Sequence, residues 1–159
     1  MMELYLGNRT PQTVRTYFEK ANLPEIKAVL PQKAKTVEEA LADYRETLLP
    51  NAHSYGRTIM ANGNYIGDIW CYCIDGKEDP NAMLSYCIFE KAYWSRGIAT
   101  RAVAMFLKEV QARYALNSIG AFTFSDNPAS IRVLEKNGFT QLEEFSEDGR
   151  ASKYFQYTY

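Results

Sequence analysis

Three observations predict a mixed α/β fold, with a central sheet carrying helices on both faces. Strand-like and helix-like segments alternate along the chain. No repeat, low-complexity tract or Pro/Gly-rich linker interrupts them. The 159 residues are 47% hydrophobic and 23% charged, a balance that buries a core without metal or disulfide staples. Residues 1–159 therefore read as one domain, a monomer or a homodimer.

Residues 2–6 read as a short strand. Thr10-Pro11 supplies a cap and a first-turn proline, and Val14, Tyr17 and Phe18 follow at helical spacing, which predicts a helix over about 11–21. Pro24 to Pro31 forms a short connector, helical or irregular, suited to line a substrate groove. Thr36 and Glu39 have capping-box spacing, and Val37, Ala40, Leu41, Tyr44 and Leu48 carry a second helix to Pro50.

From Tyr55 to Phe89 the pattern becomes β-rich, with turns at Asn62-Gly63 and from Asp75-Gly76 to Asn81, which predicts a three-stranded antiparallel meander. Within it Cys71 and Cys73 alternate onto one strand face as small buried residues, with Trp70 and Tyr72 on the other. Ala99, Ala102, Val103, Phe106, Leu107, Val110 and Tyr114 then define an amphipathic helix with Arg101, Lys108, Gln111 and Arg113 turned outward. Ile119–Phe124 is a strand, and Asn127–Lys136 a short helix stopped by Asn137-Gly138. Phe139–Phe145 and Tyr154–Tyr159 close the chain as a hairpin over Asp148-Gly149.

With 18 basic and 19 acidic side chains the net charge is -1, so no global basic field draws the chain onto nucleic acid, and an anionic ligand has to be held locally. The 3 cysteines are odd in number and two stand at i and i+2, a spacing that suits neither a disulfide framework nor a zinc site. No metal is expected, and the thiols read as reduced. The start Met1-Met2-Glu3-Leu4-Tyr5-Leu6 lacks a basic stretch and an apolar run, and no segment approaches the ~18 apolar residues of a membrane span. These features predict a cytoplasmic location away from membranes.

The stretch most suited to chemistry is Met83-Leu-Ser-Tyr-Cys-Ile-Phe89, leading through Trp94-Ser95-Arg96-Gly97-Ile98-Ala99 into the long helix. A strand feeding a tight turn and a helix start makes an anion site, because the first helical amides lack internal partners and the helix dipole adds about half a positive charge. Gly97 and Ala99 let a phosphate approach, and Arg96 and Arg101 flank it. Taken alone, a Gly-x-Ala turn equally suits a helix merely packed on a sheet. There is no Gly-Lys-Ser/Thr, which excludes a nucleotide-hydrolysing P-loop, and no Gly-x-Gly-x-x-Gly after a first strand. Instead the chain continues into Asn127-Pro-Ala-Ser130-Ile-Arg-Val-Leu134-Glu-Lys-Asn-Gly-Phe139.

With both segments in place, the chain resembles the GNAT superfamily of N-acetyltransferases. Its cofactor motif reads Gln/Arg-x-x-Gly-x-Gly/Ala, and its next motif Asn-x-x-Ser/Ala with a short helix ending in Gly-Phe. The Tyr93-Trp94 pair, Gly97-x-Ala99-Thr100 and the wording from Asn127 to Phe139 look most like the ribosomal-protein alanine N-acetyltransferase (RimJ/RimL-like) branch. The resemblance implies a mostly antiparallel mixed sheet splayed between strands four and five, with acetyl-coenzyme A as cosubstrate and no metal. It assigns the diphosphate to Arg96, Gly97, Ile98, Ala99 and Thr100. It also pairs the main chains of Cys87, Ile88 and Phe89 with the pantetheine arm, and puts Asn127 and Ser130 on the cofactor's far side.

Three positions depart from the family pattern, and two of them, Leu134 and Met83, leave the catalytic groups open. Trp94 stands where the family has Gln or Arg, at little cost to the match. Leu134 stands where many members carry a tyrosine that protonates the departing thiolate, and Met83 where histone-acetylating members carry a glutamate base. Glu90 and Ser130 are the catalytic residues put forward; Glu78, Asp79, His53, Tyr86, Tyr93 and Ser125 remain alternatives, each also readable as a structural or surface residue. The implied reaction is acetyl transfer to a primary amine by direct attack in a ternary complex, with backbone donors near the fourth strand stabilising the oxyanion. A peptide N-terminus is favoured over a polyamine or aminoglycoside by branch resemblance. The competing readings are an acyl-coenzyme A-binding module without catalysis and an unrelated α/β domain whose helix turn only packs.

Overall fold

The computed structural model describes residues 2–159, folded as β1 (Leu4–Gly7), α1 (Pro11–Ala21), α2 (Pro24–Lys27), α3 (Val37–Glu46), β2 (Tyr55–Ala61), β3 (Asn64–Asp75), β4 (Asn81–Ile88), α4 (Ile98–Tyr114), β5 (Ser118–Phe124), α5 (Pro128–Lys136), β6 (Thr140–Glu147) and β7 (Arg150–Thr158). One sheet runs in the order β1-β2-β3-β4-β5-β7-β6, antiparallel throughout except between β4 and β5. The predicted mixed sheet with helices on both faces is what forms.

The larger core lies under α4, whose Ala102, Val103, Phe106 and Val110 are fully buried against Ile59, Ile69, Leu84, Ile119 and Phe155. Each of the valine, leucine, isoleucine and phenylalanine side chains among them contributes roughly 1.5–3 kcal/mol by leaving water. The smaller core lies on the opposite face, where Ala21 and Ile26 of α1 and α2 meet Cys87 and Phe89, with Tyr17, Leu30 and Tyr65 packed around them.

Several boundaries differ from the predicted ones for local reasons. The first strand is displaced to Leu4–Gly7, where it pairs residue by residue with Ala61 to Thr58. The reciprocal capping box forms at Thr10 and Thr13, whose hydroxyls each accept from the other's amide at 3.1 and 2.9 Å. At α3 the Thr36 hydroxyl caps Glu39 N, but the Glu39 carboxylate reaches back to Lys35 N at 2.8 Å and not to Thr36. That helix stops at Glu46, short of Pro50, as the Thr47 hydroxyl turns back onto the Tyr44 carbonyl at 2.6 Å and the next amides bond three residues back.

The pairing of Cys71 and Cys73 on one face is corrected. Cys73 takes φ +52° within a register shift between Tyr72 and Asp75, so Cys71 is buried and Cys73 exposed. The closing hairpin is longer than its sequence suggested, because the two-residue Asp148-Gly149 turn lets pairing begin at Glu147↔Arg150.

Candidate functional site

β4 and β5 pair only at Asn81↔Ser118, Ala82↔Ile119 and Met83↔Gly120. Beyond that third rung they diverge, and a cleft of about 620 Å³ opens between Leu84–Ile88 and Ala121–Phe124. The start of α4 closes one end: Trp94, Ser95, Gly97, Ile98, Ala99 and Thr100 all line the cleft.

Gly97 caps α4 at φ +75°, with no side chain on the cap. A Cβ built on it would find no atom within 4 Å, so the space above the helix start is open. The first bond of the helix runs from Arg101 N to Gly97 O at 3.2 Å, so the amides of Ile98, Ala99 and Thr100 have no partner within the helix. These amides and the helix dipole leave a local positive end at that opening. Arg96 stays at the exposed rim, its guanidinium 5.4 Å from the Tyr93 ring centroid and bonded to Ala92 O at 3.4 Å.

The strand edge facing the cleft departs from what the resemblance implied. Phe89 N donates to Ile66 O at 2.9 Å, so this amide faces β3, and Cys87, two residues earlier, presents the same edge by strand alternation. Of the three residues assigned to the pantetheine arm, Ile88 alone turns its main chain to the opening. Its carbonyl already accepts from the Trp94 indole N–H at 2.8 Å. Strand parity makes Leu84 and Tyr86 the further cleft-facing backbone groups, a point that a residue-by-residue count of the motif did not supply.

On the far wall, Asn127 caps α5 by accepting from Ser130 N at 3.3 Å, and the Ser130 hydroxyl accepts from the Tyr86 hydroxyl at 3.3 Å. Burial pushes the Tyr86 phenol up to about 12, with the nearby Cys87 adding and the Ser130 bond opposing. Leu134, one turn beyond Ser130, is buried and lines the same wall. The β4 phenol and Leu134 thus line the same cleft.

Of the remaining acid and base assignments, none lines the cleft except Tyr93. Glu90 is ion-paired with Lys20 at 3.2 Å. Asp79 accepts from Asn117 at 3.1 Å, Ser125 donates to Glu144 at 3.1 Å, and the His53 ring is held by Ile74 O at 3.0 Å. Among the described residues no cluster of His, Cys, Asp or Glu is placed to hold a metal, and no helix is long and apolar enough to cross a membrane.

Three groups near the cleft were not anticipated. Asp68, buried behind β4, pairs with Arg9 at 3.3 Å and accepts from Tyr65 at 2.6 Å, while burial raises its carboxyl above the usual range. The phenol of Tyr154 lies against Gly120 at the last rung, where a Cβ would stand 2.5 Å from the hydroxyl and 3.0 Å from Met83 Sδ. Arg150 stacks 3.5 Å over Phe124 and ties Ala28 O, at 2.9 Å, to Asp126, at 3.1 Å. The single sequence signal among them is Asp68, a charge in the middle of β3 between Ile66 and Ile69. The predicted groove-lining connector does reach the cleft, through Ile26, Val29, Leu30 and Pro31, and so does Tyr72.

Comparison with known proteins gives one family and a set of similar folds. The acetyltransferase (GNAT) domain family matches residues 3–140. The chain is similar to a spermidine N-acetyltransferase from Vibrio cholerae solved with CoA and spermine, with TM-score 0.86 and 16% identity over 98% of this chain and 95% of that one. It is similar to RimL, a ribosomal alpha-N-protein acetyltransferase solved with coenzyme A, with TM-score 0.82 and 15% identity over 98% and 93%. An aminoglycoside acetyltransferase solved with coenzyme A gives TM-score 0.75 and 19% identity over 99% and 95%. At these identities the likeness is one of fold, and it spans three kinds of acceptor without singling out the ribosomal-protein branch.

Proposed function

The chain belongs to the acetyltransferase (GNAT) domain family, and on that premise we propose that it moves the acetyl group of acetyl-coenzyme A onto a primary amine, such as a peptide N-terminus, by direct attack in a ternary complex. The observation carrying this reading is the split between β4 and β5 that opens onto the uncapped start of α4. Acetyl-coenzyme A supplies the activated acetyl thioester. The amides of Ile98, Ala99 and Thr100, with the Thr100 hydroxyl and the space over Gly97, are assigned to its diphosphate. The free edge of β4 at Leu84, Tyr86 and Ile88 is assigned to the pantetheine arm, and Asn127 and Ser130 to the opposite side.

In the transfer step the amine nitrogen forms a bond to the carbonyl carbon and the carbon–sulfur bond breaks. The thiolate takes a proton from the Tyr86 hydroxyl, which regains one through Ser130, and the proton shed by the amine leaves to water. Ser130, put forward above as a catalytic residue, is here given the part of proton relay to Tyr86. Glu90, held by Lys20 outside the cleft, is given no part in the transfer. The three cysteines are free thiols, which supports a cytoplasmic setting.

A second reading draws on the make-up of the cleft, whose lining residues include no Asp, Glu or His. It is a module that binds acyl-coenzyme A without consuming it. Thiol release from acetyl-coenzyme A, measured with and without a mixed panel of amines, separates the two. Amine-dependent release is expected; tight coenzyme A binding with none would overturn the enzymatic reading.

A further inference from the structure

The third rung of the β4–β5 pairing belongs to a row of residues that crosses the sheet. Tyr72 pairs with Met83, Met83 with Gly120 and Gly120 with Gln156. Directly paired residues share a face of the sheet. Their chain neighbours Cys71, Leu84, Ile119, Ala121 and Phe155 are buried in the core under α4, so the row looks out from the opposite face. Every member of it is uncharged, and Gly120 leaves a notch in the middle.

The Tyr154 phenol fills that notch from β7. A Cβ on Gly120 would stand 2.5 Å from the hydroxyl and 2.8 Å from the ring carbon Cε1, so glycine is what admits the ring. Phe122 holds the ring from the side at a centroid distance of 5.1 Å, and Phe145 backs Phe122 at 5.8 Å. Tyr44, Tyr55, Tyr65, Tyr86 and Tyr159 each donate their hydroxyl to a protein oxygen. Among the described residues Tyr154 has no such bond. Tyr72 on one side of the seam and Ala121 and Phe122 on the other line the cleft, so this open hydroxyl stands where the cleft closes.

The chemistry at that point calls for such a group. A neutral primary amine has one lone pair and two N–H bonds, and attack requires the lone pair to be aimed at the carbonyl carbon. An oxygen that accepts one N–H fixes the aim and leaves the lone pair free. Resting on the acetyl-transfer reading, we propose that the Tyr154 hydroxyl binds the acceptor: its oxygen accepts one N–H of the attacking amine at the third rung, and Gly120 is the notch that lets it reach. The phenol takes no proton from the amine; it sets the direction of approach.

The test follows thiol release from acetyl-coenzyme A by the full chain with four amines, an Ala-initial tetrapeptide, phenylalaninamide, spermidine and kanamycin, and compares variants on the one used best. Tyr154→Phe keeps the ring on Gly120 and removes the hydroxyl. Its kcat/KM for the amine should fall by about 10- to 100-fold, with coenzyme A affinity and melting temperature unchanged. The pH at which kcat/KM levels off should stay at the wild-type value, because the amine and not the phenol sets it. Gly120→Ala should also lower kcat/KM by displacing the ring, and should cost less in a Tyr154→Phe background than alone. If Gly120→Ala does not fold, the Tyr154→Phe measurements decide. An unchanged kcat/KM in Tyr154→Phe would overturn the inference, as would a loss carried by weaker coenzyme A binding, a shifted levelling point, which would make the phenol a base, or strictly additive losses in the double variant. Thiol release by the wild type with none of the amines, while coenzyme A still raises the melting temperature, would instead overturn the acetyl-transfer reading.

Discussion

The Trp94 indole donates its N–H to the Ile88 carbonyl at 2.8 Å, so a side chain from the turn before α4 occupies the one cleft-facing carbonyl at the end of β4. If pantetheine pairs with that carbonyl, the indole has to let go. The chain has 2 tryptophans, and in a Trp70→Phe background the emission of Trp94 is expected to change with a saturable dependence on coenzyme A. An emission spectrum that stays fixed at saturation would mean that the bond persists and that the arm pairs only with Leu84 and Tyr86.

Gly97 combines a left-handed backbone with open space above it. Gly97→Asp is expected to weaken coenzyme A binding by ~100-fold or more, since a carboxylate would project into the anion cradle. Gly97→Asn tolerates the same backbone without the charge and should lose far less. Calorimetric titration of both variants separates repulsion from strain; equal losses would remove the electrostatic argument.

Tyr86→Phe leaves the packing of β4 intact and deletes the hydroxyl bonded to Ser130. A fall in kcat of about 100-fold with little change in coenzyme A affinity is expected for loss of a general acid. The sign of the pH dependence comes from the raised phenol. An acid whose value lies at about 12 stays protonated, and able to donate, across the working range. The wild-type rate should therefore rise with pH as the amine deprotonates and show no falling limb below about pH 10. A falling limb near pH 8 would assign the donor elsewhere.

Arg150 joins the segment after α2 to the β5–α5 turn through Ala28 and Asp126. Arg150→Ala should loosen the cleft wall. Faster amide exchange confined to residues 24–31 and a higher KM for the amine are expected, with α4 unchanged. Exchange rising evenly over the whole chain would show a general loss of stability instead.

α4 ends at Ala115, which carries φ +51°, a left-handed position that an alanine occupies at a cost of roughly 1–2 kcal/mol. Ala115→Gly should relieve that strain and raise the unfolding free energy by about 0.5–1 kcal/mol in a denaturant titration. An unchanged midpoint would count against strain at this cap.

The sequence carried the parts of the fold that local chemistry decides. Asn62-Gly63, Asp148-Gly149, the cap at Thr10 and the apolar stripe from Ala102 to Val110 each state their own conformation in a few residues. The open, glycine-capped start of α4 was legible for the same reason, because Gly97 and the helix start are contiguous. What depended on neighbours in space was not. Which β4 amides face the cleft is set by the phase of pairing with β3, as Phe89 N on Ile66 O shows. The exposure of Cys73 depends on a bulge that strict alternation along β3 does not foresee. Tyr86 meets Ser130 across 44 positions, and Arg150 meets Ala28 across 122, distances over which spacing rules say nothing.

Because only three rungs join β4 to β5, the seven strands behave as two plates sharing a short seam, β1 to β4 on one side and β5 to β7 on the other. The lower end of that seam is pinned by Asn117 N and Ser118 N on Pro80 O, and beyond the third rung no strand joins β4 to β5. A guest strand laid along the bare edge would act as mortar, and the two plates would then resist prising apart as a single wall. Were the cosubstrate to lie there, its binding and the stiffness of the whole sheet would be coupled.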